Sequence, residues 1–168
     1  MPATERERTY TWSDPASTAG QHVSLSGLEF IRALAEGALD HSPSARTLGF
    51  RVVDAGHGTT TIRLVPAEYH YNAVGTVHGG ILTAILDSAM GFAISTTLPE
   101  QTGYTTLDLN TQFLRPVSIR TGPIEAVGSV VHIGRATATA RGEIRTSEGK
   151  LCATATTRCM LFRPDRSP

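Results

Sequence analysis

The chain has 168 residues, enough for one domain with a substantial core and cramped for two. Its 40% hydrophobic and 18% charged residues are the balance of a folded protein rather than a disordered one. Fifteen Lys and Arg offset fifteen Asp and Glu, and no long basic block stands out, which argues against a general binder of nucleic acid or membrane surfaces.

Residues 1–23 are polar, without a hydrophobic period, and read as a flexible lead-in to a single domain over 24–164. They lack the apolar core of a secretion signal, and no run reaches the roughly 18 apolar residues of a membrane span. Residues 25–39, LSGLEFIRALAEGAL, place Leu28, Ile31, Leu34, Ala35 and Leu39 at helical spacing, with Ser24 or Ser26 as the cap. DHSPSAR breaks that pattern. LGFRVVDA and TTTIRLVP follow as two strands joined through Gly56-His57-Gly58. A loop of small and polar residues leads to His78, and a second helix runs from Gly79 to about Thr96 with Ile81, Leu82, Ile85, Leu86, Ala89, Met90 and Ala93 within one half-circle.

The period then changes to two. In TTLDLNTQF, Thr105, Leu107, Leu109, Thr111 and Phe113 face one way, and Thr106, Asp108, Asn110 and Gln112 the other. GPIEAVGSVVHIG, RATATARGEIRT and KLCATATTRCMLF complete a four-strand meander. Cys152 and Cys159 share its last strand, seven residues apart, an odd spacing that points them to opposite faces and leaves them unbonded. A reduced, cytoplasmic protein is expected. The order of elements predicts an α+β fold, one antiparallel sheet wrapped around one long apolar helix.

One carboxylate, Asp87, interrupts that apolar helix. A buried, unpaired carboxylate costs several kcal/mol or takes up a proton, so its position calls for a function. Asp87 projects opposite the apolar half-circle, beside Gly80, Thr83, Ala84, Gly91 and Ser95, a face small enough for a second copy of the helix to approach. At the helix start, the Gly79 and Gly80 N–H groups are expected among the unpaired donors of the first turn, suited to an anionic oxygen. Gly79 and Asp87 are about 12 Å apart along one axis, too far to meet at one carbonyl. If both act on one substrate they belong to different subunits, as an antiparallel pair of these helices would arrange. His57, His70 and His78 match no common zinc spacing.

The residues Asn72-x-x-Gly75-x-x-His78-Gly79-Gly80, followed by Asp87, resemble the hotdog-fold acyl-CoA thioesterases, in particular their phenylacetate-pathway (PaaI-like) branch. FLRPV and HIGRATATA are similar to that family's later strands, and the likeness covers residues 45–162. The resemblance implies hydrolysis of an acyl-CoA, aryl-acetyl or short to medium in chain length, by a homodimer with its sites at the subunit interface, pairing further into a tetramer. It implies no cofactor, coenzyme A being part of the substrate. It makes Asp87 the general base or nucleophile and the Gly79 N–H the donor to the thioester oxygen. Asn72 then positions water or the leaving group, and Thr106 orients the water. His78 and Gly80 border the substrate, and Arg115 and Arg135 are candidate partners for the phosphates of coenzyme A. For His78 the residues also allow a role in fixing its loop by hydrogen bonds to backbone carbonyls. Two other readings stand beside hydrolysis: a hotdog dehydratase or hydratase, which pairs a His with a carboxylate, and a non-catalytic acyl-CoA sensor.

Overall fold

Ser26 starts the first helix, α1 (Gly27–Glu36), in a computed structural model that describes residues 4–16 and 24–162. The Ser26 hydroxyl accepts the Glu29 N–H at 3.3 Å while the Glu29 carboxylate accepts the Ser26 N–H at 3.0 Å, a reciprocal capping box. Gly37, in the left-handed region at φ 75°, ends the helix short of the expected Leu39. The DHSPSAR segment, expected as a break, contributes to a short helix, α2 (Pro43–Leu48). Ser42 caps it by accepting the Ala45 N–H at 3.3 Å, and Pro43 occupies the first turn, where a missing N–H costs nothing.

Strands β1 (Phe50–Gly56) and β2 (Thr59–Leu64) form the expected hairpin. The long helix α3 (Gly79–Ser95) follows, then β3 (Gly103–Phe113), β4 (Ile124–Ile133), β5 (Thr137–Thr146) and β6 (Leu151–Phe162). The six strands make one antiparallel sheet in the order β1-β2-β4-β5-β6-β3. The meander is therefore β4-β5-β6 alone. β3 forms the far edge by pairing with β6, because residues 114–123 carry the chain back across the end of the sheet to β4. Cys152 O accepts the Leu114 N–H at 2.8 Å, and Val117 O accepts the Val77 N–H at 2.8 Å, fixing that crossing below the loop into α3.

The sheet wraps α3 because its inner face is small. Gly128 and Gly142 are paired opposite each other, beside inward Ala126, Ala140, Ala153 and Ala155. A Cβ on Gly128 would lie 2.2 Å from the Ala89 carbonyl oxygen, so the helix backbone rests almost directly on β4. Thr60 reaches the same carbonyl from β2 with a 2.6 Å hydrogen bond. Against this cradle α3 buries Ile85, Leu86, Ala89, Met90, Ala93 and Ile94 completely. Each large aliphatic side chain there contributes about 1.5–3 kcal/mol of hydrophobic stabilisation.

Two alternations expected from the sequence are broken by bulges. In β3 the pairing slips between Thr106 and Asp108, leaving Leu107 without a partner and exposed. The strand's facing is therefore reset. Thr106 points inward toward α3, whereas Leu109 and Thr111 are the inward residues beyond the slip. In β6 the slip opposite Ile144 and Arg145 leaves Cys152 out of register. Both cysteines are free, as expected, and both are buried.

Residues ahead of α1 make specific contacts where they are described. Arg6 pairs with Glu68 at 3.1 Å, and Arg8 donates to the Arg46 and Thr47 carbonyls at the end of α2 while its guanidinium lies 3.9 Å from the Tyr69 ring centre. The expected domain end at 164 lies outside the described residues. No helix is long and apolar enough to cross a membrane among the described residues.

Candidate active site

The turn into α3 is built by side chains folding back on their own backbone. Asn72 Oδ1 accepts the Val74 and Thr76 N–H groups at 3.0 and 3.2 Å, and its amide nitrogen donates to Thr76 Oγ1 at 3.0 Å. Gly75, at φ 81°, supplies the left-handed step the turn needs. Asn72 is thus a strut of the loop, and the second N–H of its amide has no hydrogen-bond partner among the described residues.

His70 anchors the loop from below. Its Nδ1 accepts the Ala67 N–H at 3.0 Å, which leaves Nε2 to donate to the Leu48 carbonyl at 2.8 Å. Burial holds its pKa below the ordinary histidine value.

His78 is the N-cap of α3, with Nδ1 accepting the Gly80 N–H at 2.9 Å. This corrects two expectations. His78 stabilises its loop as an acceptor from a backbone N–H rather than as a donor to carbonyls. The Gly80 N–H, expected to be free, is occupied by that ring. The Gly79 N–H, by contrast, has no hydrogen-bond partner among the described residues. It stands at the positive end of a 17-residue helix, where a developing negative charge is stabilised. Gly79 also opens on a cavity of about 330 Å³ bordered by Asn72, Leu82, Phe113, Arg115 and Val117. Phe113 would lie only 3.0 Å from a Cβ on Gly79, so the glycine keeps the N–H approachable.

Two turns further along α3, Asp87 is half-buried and accepts a 2.8 Å hydrogen bond on Oδ1 from the Thr106 hydroxyl. The bulge at Leu107 is what aims Thr106 at it. Cys159 lies behind, its sulfur 3.9 Å from Thr106 Oγ1, and burial pushes its thiol pKa up, which makes it a packing residue rather than a nucleophile. Tyr104 packs against Gly91, with its phenol pKa raised first by burial and then by the Asp87 charge, so it stays protonated. Asp87 borders a second cavity of about 200 Å³, walled by Phe30 and Leu34 of α1 with Ser88, Phe92 and Tyr104.

The structure therefore brings Thr106 to Asp87 by a hydrogen bond, and Asn72 and Arg115 to Gly79 around one cavity, while Asp87 lines a separate one. Arg115 also donates to the Leu151 carbonyl at 2.6 Å. Arg135, in the β4–β5 turn, lies next to the stretch of β6 that pairs with the start of β3, whereas Arg115 follows its end. A strand of 11 residues spans roughly 30 Å, so the two arginines do not meet around one ligand in one chain. The small face of α3 is also shorter than expected. A Cβ on Gly27 of α1 would lie 1.8 Å from the Ser95 carbonyl oxygen, and Gly91 is covered by Tyr104. Only the N-terminal half, around Gly80, Thr83, Ala84 and Asp87, remains accessible. Phe30, Leu34 and Tyr104 escaped the sequence reading as residues near Asp87; the helical period of α1 picks out Leu34 alone among them, and not which core it borders. Among the described residues no cluster of three or more His, Cys, Asp or Glu could hold a metal ion.

Residues 74–153 match the Thioesterase superfamily. A protein of Halobacterium salinarum that carries a provisional esterase name is 35% identical over 107 residues, covering 61% of this chain and 69% of its own. A phenylacetic acid degradation-related protein of Ralstonia eutropha is 31% identical with a TM-score of 0.69, over 77% of this chain and 98% of that one. A thioesterase of Haemophilus influenzae gives a TM-score of 0.70 at 25% identity, over 81% of this chain and 90% of its own.

Proposed function

Because the chain belongs to the thioesterase superfamily, in its PaaI-like hotdog branch, and is a thioester hydrolase, we propose that it hydrolyses an acyl-CoA carrying an aryl-acetyl or a short to medium-chain acyl group. The observation that carries this reading is the Asp87–Thr106 pair, a hydrogen-bonded carboxylate on an otherwise apolar helix. With Thr106 on Oδ1, the second carboxylate oxygen is free to take a proton from water as that water attacks the thioester carbonyl. The C=O pair moves onto oxygen, where the Gly79 N–H and the helix dipole stabilise it. Collapse re-forms C=O and breaks the C–S bond. The thiolate of coenzyme A leaves and receives the proton, giving free acid and thiol. Direct attack by Asp87 through a mixed anhydride, which water then opens, gives the same products.

In this reading Asp87 of one subunit and Gly79 of its partner form one site, so the working unit is a homodimer. Asn72 and Arg115 belong to the Gly79 side, and Arg115 and Arg135 are the cations offered to the phosphates of coenzyme A. Dehydration is disfavoured because His78 Nδ1 is engaged as an acceptor, which puts the ring proton on Nε2 and leaves no free basic nitrogen.

Thiol release from a panel of acyl-CoAs tests the proposal. Asp87→Asn is expected to bind acyl-CoA and lose about 10² to 10⁴ in turnover. Near-wild-type hydrolysis by that variant would remove Asp87 from the chemistry and the proposal with it.

A further inference from the structure

The cavity beside Asp87 is closed by a part of the chain outside the matched family region. Phe30 and Leu34 come from α1, well before residue 74, where that match begins. We propose that this cavity receives the acyl group, and that Phe30 and Leu34, with Phe92 and Tyr104, limit its size; the inference rests on the acyl-CoA thioesterase reading above.

Three features support it. The first is position. Asp87 is among the residues lining this cavity, whereas the cavity at Gly79 is lined by Asn72 and Arg115, polar groups that suit the coenzyme. The second is chemistry and volume. Three aromatic rings and a leucine supply the apolar part of a lining that also holds Ser42, Ser44, Ser88 and Asp87, and an apolar cavity of about 150 Å³ is enough to admit benzene. The roughly 200 Å³ here holds one ring with a short linker, or an aliphatic chain of about half a dozen carbons. The third is rigidity. The capping box at Ser26, the contact of Gly27 with the Ser95 carbonyl and the 3.0 Å hydrogen bond from the Gly27 N–H to Leu98 O fasten α1 across α3. A wall held at its first turn and by fully buried Ile31 on its packing face does not retreat to admit a longer chain.

The wall also carries no cation. Its one charged group is Asp87, Tyr104 being a neutral phenol, so an acyl group ending in a second carboxylate meets a like charge with no cation to offset it. The substrate class is therefore an uncharged, compact acyl group. Ser44, exposed at the edge of the cavity with its hydroxyl 2.9 Å from that of Ser42, offers a place to narrow it without disturbing the core.

The experiment compares kcat/KM for acetyl-, hexanoyl-, phenylacetyl-, decanoyl-, palmitoyl- and succinyl-CoA in the wild type, Phe30→Leu and Ser44→Phe. The wild type is expected to favour hexanoyl or phenylacetyl, with decanoyl, palmitoyl and succinyl at least ~10-fold lower. Phe30→Leu is expected to raise decanoyl relative to acetyl by ~10-fold, and Ser44→Phe to lower phenylacetyl relative to acetyl by ~10-fold. Should Phe30→Leu fail to fold, the exposed Ser44→Phe still decides the matter. Variants that scale every substrate by one factor, or a wild type that prefers palmitoyl or succinyl, would overturn the inference and leave the thioesterase reading standing. A wild type inert toward every acyl-CoA would overturn both.

Discussion

Mixing two dead proteins should restore activity if the site is shared between subunits. One carries Asp87→Asn; the other carries Asn72→Ala, which removes three hydrogen bonds that hold the loop in front of Gly79, at about 1 kcal/mol each. The two lesions sit on opposite sides of the proposed site, because eight residues at 1.5 Å of rise separate Gly79 from Asp87 by about 12 Å, and the two line different cavities. In a mixed dimer one site collects both lesions and the other collects neither. Random exchange of equal amounts makes about half of all dimers mixed, each with one intact site of two, so about a quarter of wild-type turnover should return. The assay is thiol release before and after subunit exchange, with native mass spectrometry to count mixed dimers. A mixture that contains them and stays inactive would place all the reacting groups in one chain, and the reasoning from helix geometry would be wrong.

Thr106→Val should cost about 10- to 100-fold in kcat/KM, the equivalent of one hydrogen bond to a charged group, while Thr106→Ser retains most activity; an unimpaired Thr106→Val would mean the hydroxyl plays no part. Gly128→Ala should destabilise by about 3 kcal/mol or more, since its Cβ meets backbone rather than a movable side chain, and lower Tm by roughly 6–12 °C in calorimetry. His41 accepts the Val52 N–H through Nε2 and His70 accepts the Ala67 N–H through Nδ1, and burial lowers both pKa values below the unfolded ~6.5. The unfolded chain thus binds more protons, so stability is full above about pH 6.5 and falls as the pH drops from there toward the lower folded pKa values. Urea midpoints should decline over that range, less steeply in His70→Gln, and an unchanged slope would show that His70 contributes nothing to the decline.

Much of this architecture is legible in the sequence because hydrophobic periods are local. The boundaries of α3 and the hairpin at Gly56-His57-Gly58 follow from spacing alone. What escapes does so for identifiable reasons. Ser42-Pro43 reads as a break, yet a serine cap and a proline in the first turn are also how a helix begins. The slip at Leu107 has no residue signature, so strict alternation puts Thr106 on the same face as Asp108, whose side chain instead pairs outside with Arg158. Pairing of β3 with β6 depends on how residues 114–123 cross the sheet, which periodicity does not encode. Of the candidate residues, Asp87 and Gly79 are legible from the chain itself, because a charge in an apolar helix and paired glycines at its start are local anomalies, whereas Asn72 and Thr106 come only from the family resemblance. That Asn72 braces its own loop, and that Gly80 is already bonded to His78, are facts of side-chain geometry.

The seal that α1 forms over the far end of α3 also determines where a second copy can sit. With Gly91 and Ser95 covered, a partner helix is confined to the stretch from Gly80 to Asp87. In the antiparallel pair proposed here, the point midway between Gly79 and Asp87 is Thr83, and the rotation axis relating the subunits passes beside it. A side chain on such an axis faces its own copy, so any substitution there is made twice at one point in space. A charge at position 83 would meet the same charge, and a bulky group would wedge apart both active sites together. In that proposed pair a single position sets the spacing of the two half-sites, so Thr83, although it touches no chemistry, is expected to tolerate substitution poorly.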